Sequence, residues 1–226
     1  YAERDPGGHC HDDGWAHVGN RSVHAAAYPI GIDFKEFSEA VRSEGARAAY
    51  ERMKESANGR RTIIGVDRLD YSKGLEERFL GYRRFLEEHD EARSDVFLLQ
   101  IAPPSRGEVH TYEVIRERLD ELSGRINGEF ASVDWVPIRY VNQGYSREDL
   151  AGFYRAAEVA LITPLRDGMN LVAKEYVAAQ DPEDPGVLVL SQFAGAAEQL
   201  EEALIVNPHD PSSLATAMRL ALQMPL

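Results

Sequence analysis

The stretch Thr62-Ile63-Ile64-Gly65-Val66-Asp67-Arg68-Leu69-Asp70-Tyr71-Ser72-Lys73-Gly74-Leu75 joins three kinds of local structure. Thr62 to Val66 is a short apolar run, read as a buried strand. Asp67 to Gly74 is polar, carries two cations five residues apart and ends on a glycine. From Leu75 to Glu88 apolar residues recur at helical period, with Leu75, Phe79, Tyr82 and Leu86 on one face. The same strand, loop and helix order returns along the chain. Further strands are expected at 96–101, 133–140, 159–162, 187–190 and 203–206. Helices are expected at 109–122, 146–157, 170–179, 194–202 and 210–222, with Pro211 in the first turn of the last. Strands that are continuously apolar are buried on both faces, which implies a parallel sheet with helices on either side. The fold class is therefore α/β, a Rossmann-like parallel sheet flanked by helices. Right-handed crossovers then gather the carboxyl ends of the strands on one edge, where ligands of such folds bind.

The 226 residues fit one large domain, since a usual domain has roughly 150. Residues 1–24 are read as an irregular lead-in and 25–226 as the Rossmann-like domain. The lead-in holds His9, His11 and His17, but nothing near them completes a familiar metal-ligand spacing. The net charge of −13 argues against a broad nucleic-acid surface, which needs clustered cations. It leaves room for a local basic pocket. Cys10 is the only cysteine, so a reducing, cytoplasmic setting is expected. No apolar run approaches the roughly 20 residues of a membrane helix, and residues 1–8 lack the apolar core of a signal peptide.

Functional residues should then lie in the loops that follow strands. After the first strand, Arg68 offers a planar fork for phosphate oxygens and Lys73 a mobile point charge, beside a helix start that favours anions. The competing reading is two solvated cations paired with Asp67 and Asp70. After the second strand, Pro103 and Pro104 stiffen the exit and present Arg106; a plain surface arginine is the alternative. After the 159–162 strand comes Leu165-Arg166-Asp167-Gly168-Met169-Asn170-Leu171-Val172-Ala173-Lys174-Glu175. Here Gly168 allows close backbone approach, Asn170 can cap the helix and leave amides free, and Glu175 can accept hydroxyls of a sugar. A simple capped helix start and an exposed glutamate are the bland readings. Taken together, the loops suit a nucleotide diphosphate linked to a sugar. No Gly-x-Ser-x-Gly elbow, two-histidine metal pattern or Gly-x-Gly-x-x-Gly turn is present.

These strings, together with Ala27-Tyr28-Pro29-Ile30-Gly31-Ile32-Asp33 and Val187-Leu188-Val189-Leu190-Ser191-Gln192-Phe193-Ala194-Gly195-Ala196, resemble the trehalose-6-phosphate synthases of glycosyltransferase family 20. The resemblance runs from about Tyr28 onward. It implies the C-terminal, donor-binding half of a retaining enzyme of GT-B architecture, which moves glucose from UDP-glucose to glucose 6-phosphate. By that resemblance Arg68 and Lys73 bind the donor diphosphate and stabilise the departing UDP, with Asp167 as the third catalytic position. Asp167, Gly168, Met169 and Asn170 hold the donor sugar, Leu171 and Val172 lie near the diphosphate, Glu175 takes the ribose and Tyr145 lies by the base. Arg106 reaches the acceptor phosphate. Neither a cofactor nor a metal is implied, and no nucleic-acid or membrane partner.

The family's N-terminal half and final helix have no counterpart in these residues, so the chain is expected to bind donor and to turn over weakly by itself. Two other readings stand beside this one. A sister transferase would use another phosphorylated acceptor, such as glycerol 3-phosphate. A non-catalytic module would keep only the nucleotide-sugar pocket.

Overall fold

A computed structural model describes residues 8–10, 14–104 and 109–224. The chain divides into two compact units, Tyr1–Ile30 and Gly31–Leu226. In the first, β1 (Gly8–Cys10), β2 (Trp15–Val18) and β3 (Arg21–His24) form a three-stranded antiparallel sheet. The expectation of an irregular lead-in thus gives way to short strands. Their signal is weak in the sequence because β3 is exposed along its whole length and shows no apolar alternation.

The second unit carries six parallel strands: β4 (Arg61–Val66), β5 (Val96–Ile101), β6 (Ile138–Val141), β7 (Val159–Ile162), β8 (Val187–Ser191) and β9 (Leu204–Val206). Their spatial order is β6-β5-β4-β7-β8-β9, and every neighbouring pair is parallel. The order reverses between β4 and β7, the switch point where such sheets open a crevice. Among the described residues, seven helices cover the faces: α1 (Phe34–Val41), α2 (Glu44–Ala57), α3 (Leu75–Glu88), α4 (Val109–Phe130), α5 (Arg147–Ala156), α6 (Leu171–Ala179) and α7 (Pro211–Gln223).

Successive strand residues point to opposite faces, so each apolar strand feeds two cores. Ile63, Leu98, Leu161 and Val189 pack on one side against Phe79 and Tyr82 of α3, Leu122 of α4 and Met218 of α7. Ile64, Phe97, Ile162 and Leu190 pack on the other against Met53 of α2, Tyr154 of α5 and Tyr176 of α6. Five of the helices begin on side-chain caps that accept first-turn amides: Asp33 for α1, Ser43 for α2, Ser146 for α5, Asn170 for α6 and Asp210 for α7. Among the described residues, no helix is long and apolar enough to cross a membrane.

The structure departs from the sequence reading in several places. The helix expected at 109–122 runs on to Phe130 as α4. The strand expected at 133–140 is confined to β6, because Ser132 and Trp135 close a bridged turn before it. The helix expected at 194–202 is only a turn of 3-10 helix, Gly195–Glu198. Its first amides are drawn elsewhere: Gly195 N–H donates to Asp167 O at 3.1 Å and Ala196 N–H to Met169 O at 2.7 Å. Helices α1 and α2 precede β4 in a stretch where the sequence reading placed no element.

Candidate functional site

The loops after β4, β7 and β8 meet at the carboxyl edge around the switch point. The loop after β4 leaves Val66, makes a 3-10 turn at Tyr71–Lys73 and enters α3 through Gly74. Asp70 stiffens the turn, accepting from Ser72 N–H and from Ser72 Oγ, both at 2.8 Å. Gly74 sits at φ 63°, a region that favours glycine. The turn docks on the loop after β7, whose Leu165 N–H donates to Ser72 O at 2.7 Å.

That docking brings the two chemistry-bearing loops together. Lys73 Nζ lies 2.6 Å from Asp167 Oδ2. The same oxygen accepts from Asn170 Nδ2 at 3.1 Å, and Met169 N–H points at the other at 3.4 Å. Asn170, at φ 76°, accepts from Ala173 N–H at 3.0 Å and so caps α6. The positive φ of this loop therefore falls on Asn170 and not on Gly168. A Cβ added at Gly168 would meet nothing within 4 Å, so space is open beside it. The first-turn amides of Leu171 and Val172 lack intrahelical acceptors and give the helix start its anion-favouring field.

Arg68 is exposed, and its guanidinium has no ion pair or hydrogen bond among the described residues. The alternative in which Arg68 and Lys73 pair with Asp67 and Asp70 does not occur. Asp67 pairs with the buried Arg78, Asp70 with Ser72, and Lys73 with Asp167. Burial pushes the Asp67 carboxyl above its ordinary range, against the pull of Arg78. Tyr145, in the loop after β6, is half-buried; its ring stands edge-on to Phe153 at 5.1 Å and its hydroxyl accepts from Gln143 Nε2 at 2.8 Å. Glu175, one turn into α6, is also half-buried, and burial raises its carboxyl against the opposing charge of Arg147. Arg106 lies outside the described residues.

Sequence reasoning missed Arg78, Gln100 and Thr163, all fully buried polar residues beneath these loops. Two of them carried a signal. Arg78 lies three residues after Leu75, on the apolar face of α3, and Gln100 interrupts an otherwise apolar strand. A cavity of about 770 Å³ opens at the opposite edge, where β4 and β8 begin, lined in part by Lys54, Arg61, Glu158 and Asp181. Several of its charges already neutralise one another, as in Lys54 with Glu158 and Arg155 with Asp181, each at 2.6 Å.

A doubly wound parallel sheet with two cations, a carboxylate and a capped helix start at its switch point defines a Rossmann-like α/β domain with an anion-favouring crevice. The family model of glycosyltransferase family 20 matches residues 8–226. The chain belongs to that family. It is 51% identical over 206 residues to the trehalose-6-phosphate synthase of Sinorhizobium fredii, a match that covers 91% of this chain and 44% of the relative. It superposes with a TM-score of 0.95 and 50% identity on an alpha,alpha-trehalose-phosphate synthase (UDP-forming) from Burkholderia xenovorans in complex with glucose-6-phosphate, covering all of this chain and 50% of that one. With an E. coli structure described as bound with UDP-2-fluoro glucose, the TM-score is 0.91 at 45% identity, over 96% of this chain and 48% of that one. The chain thus spans about half the length of the relatives it matches.

Proposed function

We propose that this chain is the nucleotide-sugar-binding part of a retaining glucosyltransferase that uses UDP-glucose and glucose 6-phosphate to make trehalose 6-phosphate. The observation that carries the reading is the meeting of Lys73 and Asp167 across the switch point at 2.6 Å, with Arg68 exposed beside them and unpaired among the described residues. Relatives crystallised with glucose-6-phosphate and with UDP-2-fluoro glucose support the substrate classes.

In this reading the C–O bond between the sugar and the diphosphate breaks with its electron pair passing to the phosphate oxygen, an acceptor hydroxyl oxygen bonds to the same sugar carbon on the same face, and the hydroxyl proton passes to the leaving phosphate. Arg68 and Lys73 offset the charge that develops there, and such preorganised electrostatic stabilisation is usually the largest single contribution to catalysis. Asp167 holds Lys73 in place before donor arrives and accepts sugar hydroxyls afterwards. Gly168, Met169 and Asn170 line the sugar, Leu171 and Val172 present helix-start amides to the diphosphate, Glu175 takes the ribose and Tyr145 flanks the base. Arg106 serves the acceptor phosphate. The remaining acceptor contacts are assigned to the part of the relatives outside the match. A reducing, cytoplasmic setting agrees with the single cysteine.

Calorimetric titration with UDP, ADP and GDP and their glucose conjugates tests the reading. UDP and UDP-glucose should bind more tightly than the purine nucleotides, with little trehalose 6-phosphate formed when glucose 6-phosphate is added. No binding of any nucleotide would refute the donor site, and rapid turnover would refute the assignment of the acceptor contacts.

Glu175 supplies a further prediction with opposite signs for stability and binding. Its carboxyl is raised by burial, so above the ordinary glutamate range the folded state holds more protons than the unfolded chain. Stability therefore falls as pH rises through that window and stays lower above it. Glu175→Gln should melt at a higher temperature than the unmodified chain at neutral pH, with the difference shrinking toward acidic pH, while UDP affinity drops. A variant that melts lower at neutral pH would contradict the sign.

A further inference from the structure

We propose that Arg78 is a positioning residue for the anion site, its buried guanidinium locking the β4 loop to the root of the β7 loop so that Lys73 and Asp167 face each other. The inference rests on the donor-site reading above and concerns residues that touch no ligand in it.

Arg78 is 0% exposed, the largest fully buried side chain in the described core. Its Nη1 donates to Asp67 Oδ2 at 2.6 Å and to Gln100 Oε1 at 2.8 Å, its Nε to Thr163 Oγ1 at 3.0 Å, and its Nη2 reaches Lys73 O at 3.5 Å. Asp67 opens the loop that bears Arg68, and Lys73 nearly closes it. Thr163 is the first residue after β7, four before Asp167. One planar group thus grips both ends of the cation loop and the start of the carboxylate loop, with Gln100 of β5 as a fixed strut. Only a guanidinium presents donors in enough in-plane directions to do this; a lysine ammonium is a point charge without a fork.

The fold makes room for the lock. A Cβ at Gly65 would come within 2.4 Å of Gln100 Oε1 and 2.6 Å of Arg78 Nη1, so the strand below the site is shaped around the network. Stability does not by itself call for such a group, because a buried ion pair is often no better than apolar side chains of similar volume. Loop registration gives it a reason. Of the two loops it joins, one carries the cations and the other their carboxylate partner, and a shift of one loop against the other separates Lys73 from Asp167.

The test compares UDP with UMP, which has one phosphate fewer, by calorimetry on Arg78→Lys, Thr163→Val and the double variant D67N/R78M, with melting curves for each. In the double variant no buried charge is left without its partner, while the lock is lost. The preference for UDP over UMP should fall about tenfold in Arg78→Lys and D67N/R78M and about threefold in Thr163→Val, with UMP affinity held within about twofold. Should the Arg78 variants fail to fold, Thr163→Val, nearly isosteric, carries the test. Folded variants that keep the full preference, or that lose UDP and UMP in equal proportion, would overturn the positioning role. An unmodified chain with no preference for UDP over UMP would instead remove the donor-site reading, and the inference with it.

Discussion

Arg68→Ala should weaken UDP binding by about 1.5–3 kcal/mol, roughly 10- to 150-fold, while leaving the melting temperature unchanged. The loss is that of a charge-assisted contact to phosphate. The lack of a folding effect follows from the environment of Arg68: it is exposed, and no ion pair or hydrogen bond of its guanidinium is found among the described residues. No internal partner is stranded when it is removed. Lys73 differs, because its ammonium answers the Asp167 carboxylate and both groups are largely buried. Lys73→Ala would mix lost affinity with an uncompensated carboxylate, so Arg68 is the cleaner probe. Calorimetry with UDP and a melting curve suffice; an unchanged affinity would take Arg68 out of the site.

Gly74→Ala should destabilise the chain by about 2–5 kcal/mol. Part of this is the left-handed backbone at φ 63°, which costs an L-residue roughly 1–2 kcal/mol. The rest is crowding, for an added Cβ would come within 2.4 Å of Thr163 O and 3.2 Å of Leu165 Cδ2, and overpacking of this kind typically costs about 1–3 kcal/mol. Backbone is on both sides of that contact, so relief comes only by moving the β4 loop away from the β7 loop. The hydrogen bond from Leu165 N–H to Ser72 O would stretch, and Lys73 would leave Asp167. UDP affinity should therefore fall together with stability, unlike in Arg68→Ala. Urea unfolding followed by a UDP titration of the folded variant checks both parts. A variant as stable as the unmodified chain would show that the two loops are not held in contact there.

Much of the fold is legible because burial leaves a local pattern. Six apolar runs alternate with helical periodicities, and that alone implies parallel strands, helices on both faces and a shared carboxyl edge. The central strands 159–162 and 96–101 and the helix Leu75–Glu88 are found with the bounds that the sequence implies. Misreadings fall where long-range contacts override local preference. The segment after β8 has helical periodicity, yet its amides bond to carbonyls of Asp167 and Met169, and only a short turn survives. Within the loop of Asp167, the sequence points to Gly168 for unusual backbone, but the cap at Asn170 places the positive φ there.

From the sequence alone come the sheet, the edge at which chemistry collects and the residue types at that edge, since each depends on periodicity, turn chemistry or strings held in one stretch of chain. Which charges meet is decided by the tertiary structure. Asp67 stands beside Arg68 in the chain but binds Arg78, eleven residues away, and Lys73 finds Asp167, ninety-four residues away. A carboxylate pairs with whichever cation the packing holds within reach at low solvent exposure, and only the close approach of the β4 and β7 loops, with Gly74 against Thr163 and Arg78 beneath both, sets that distance.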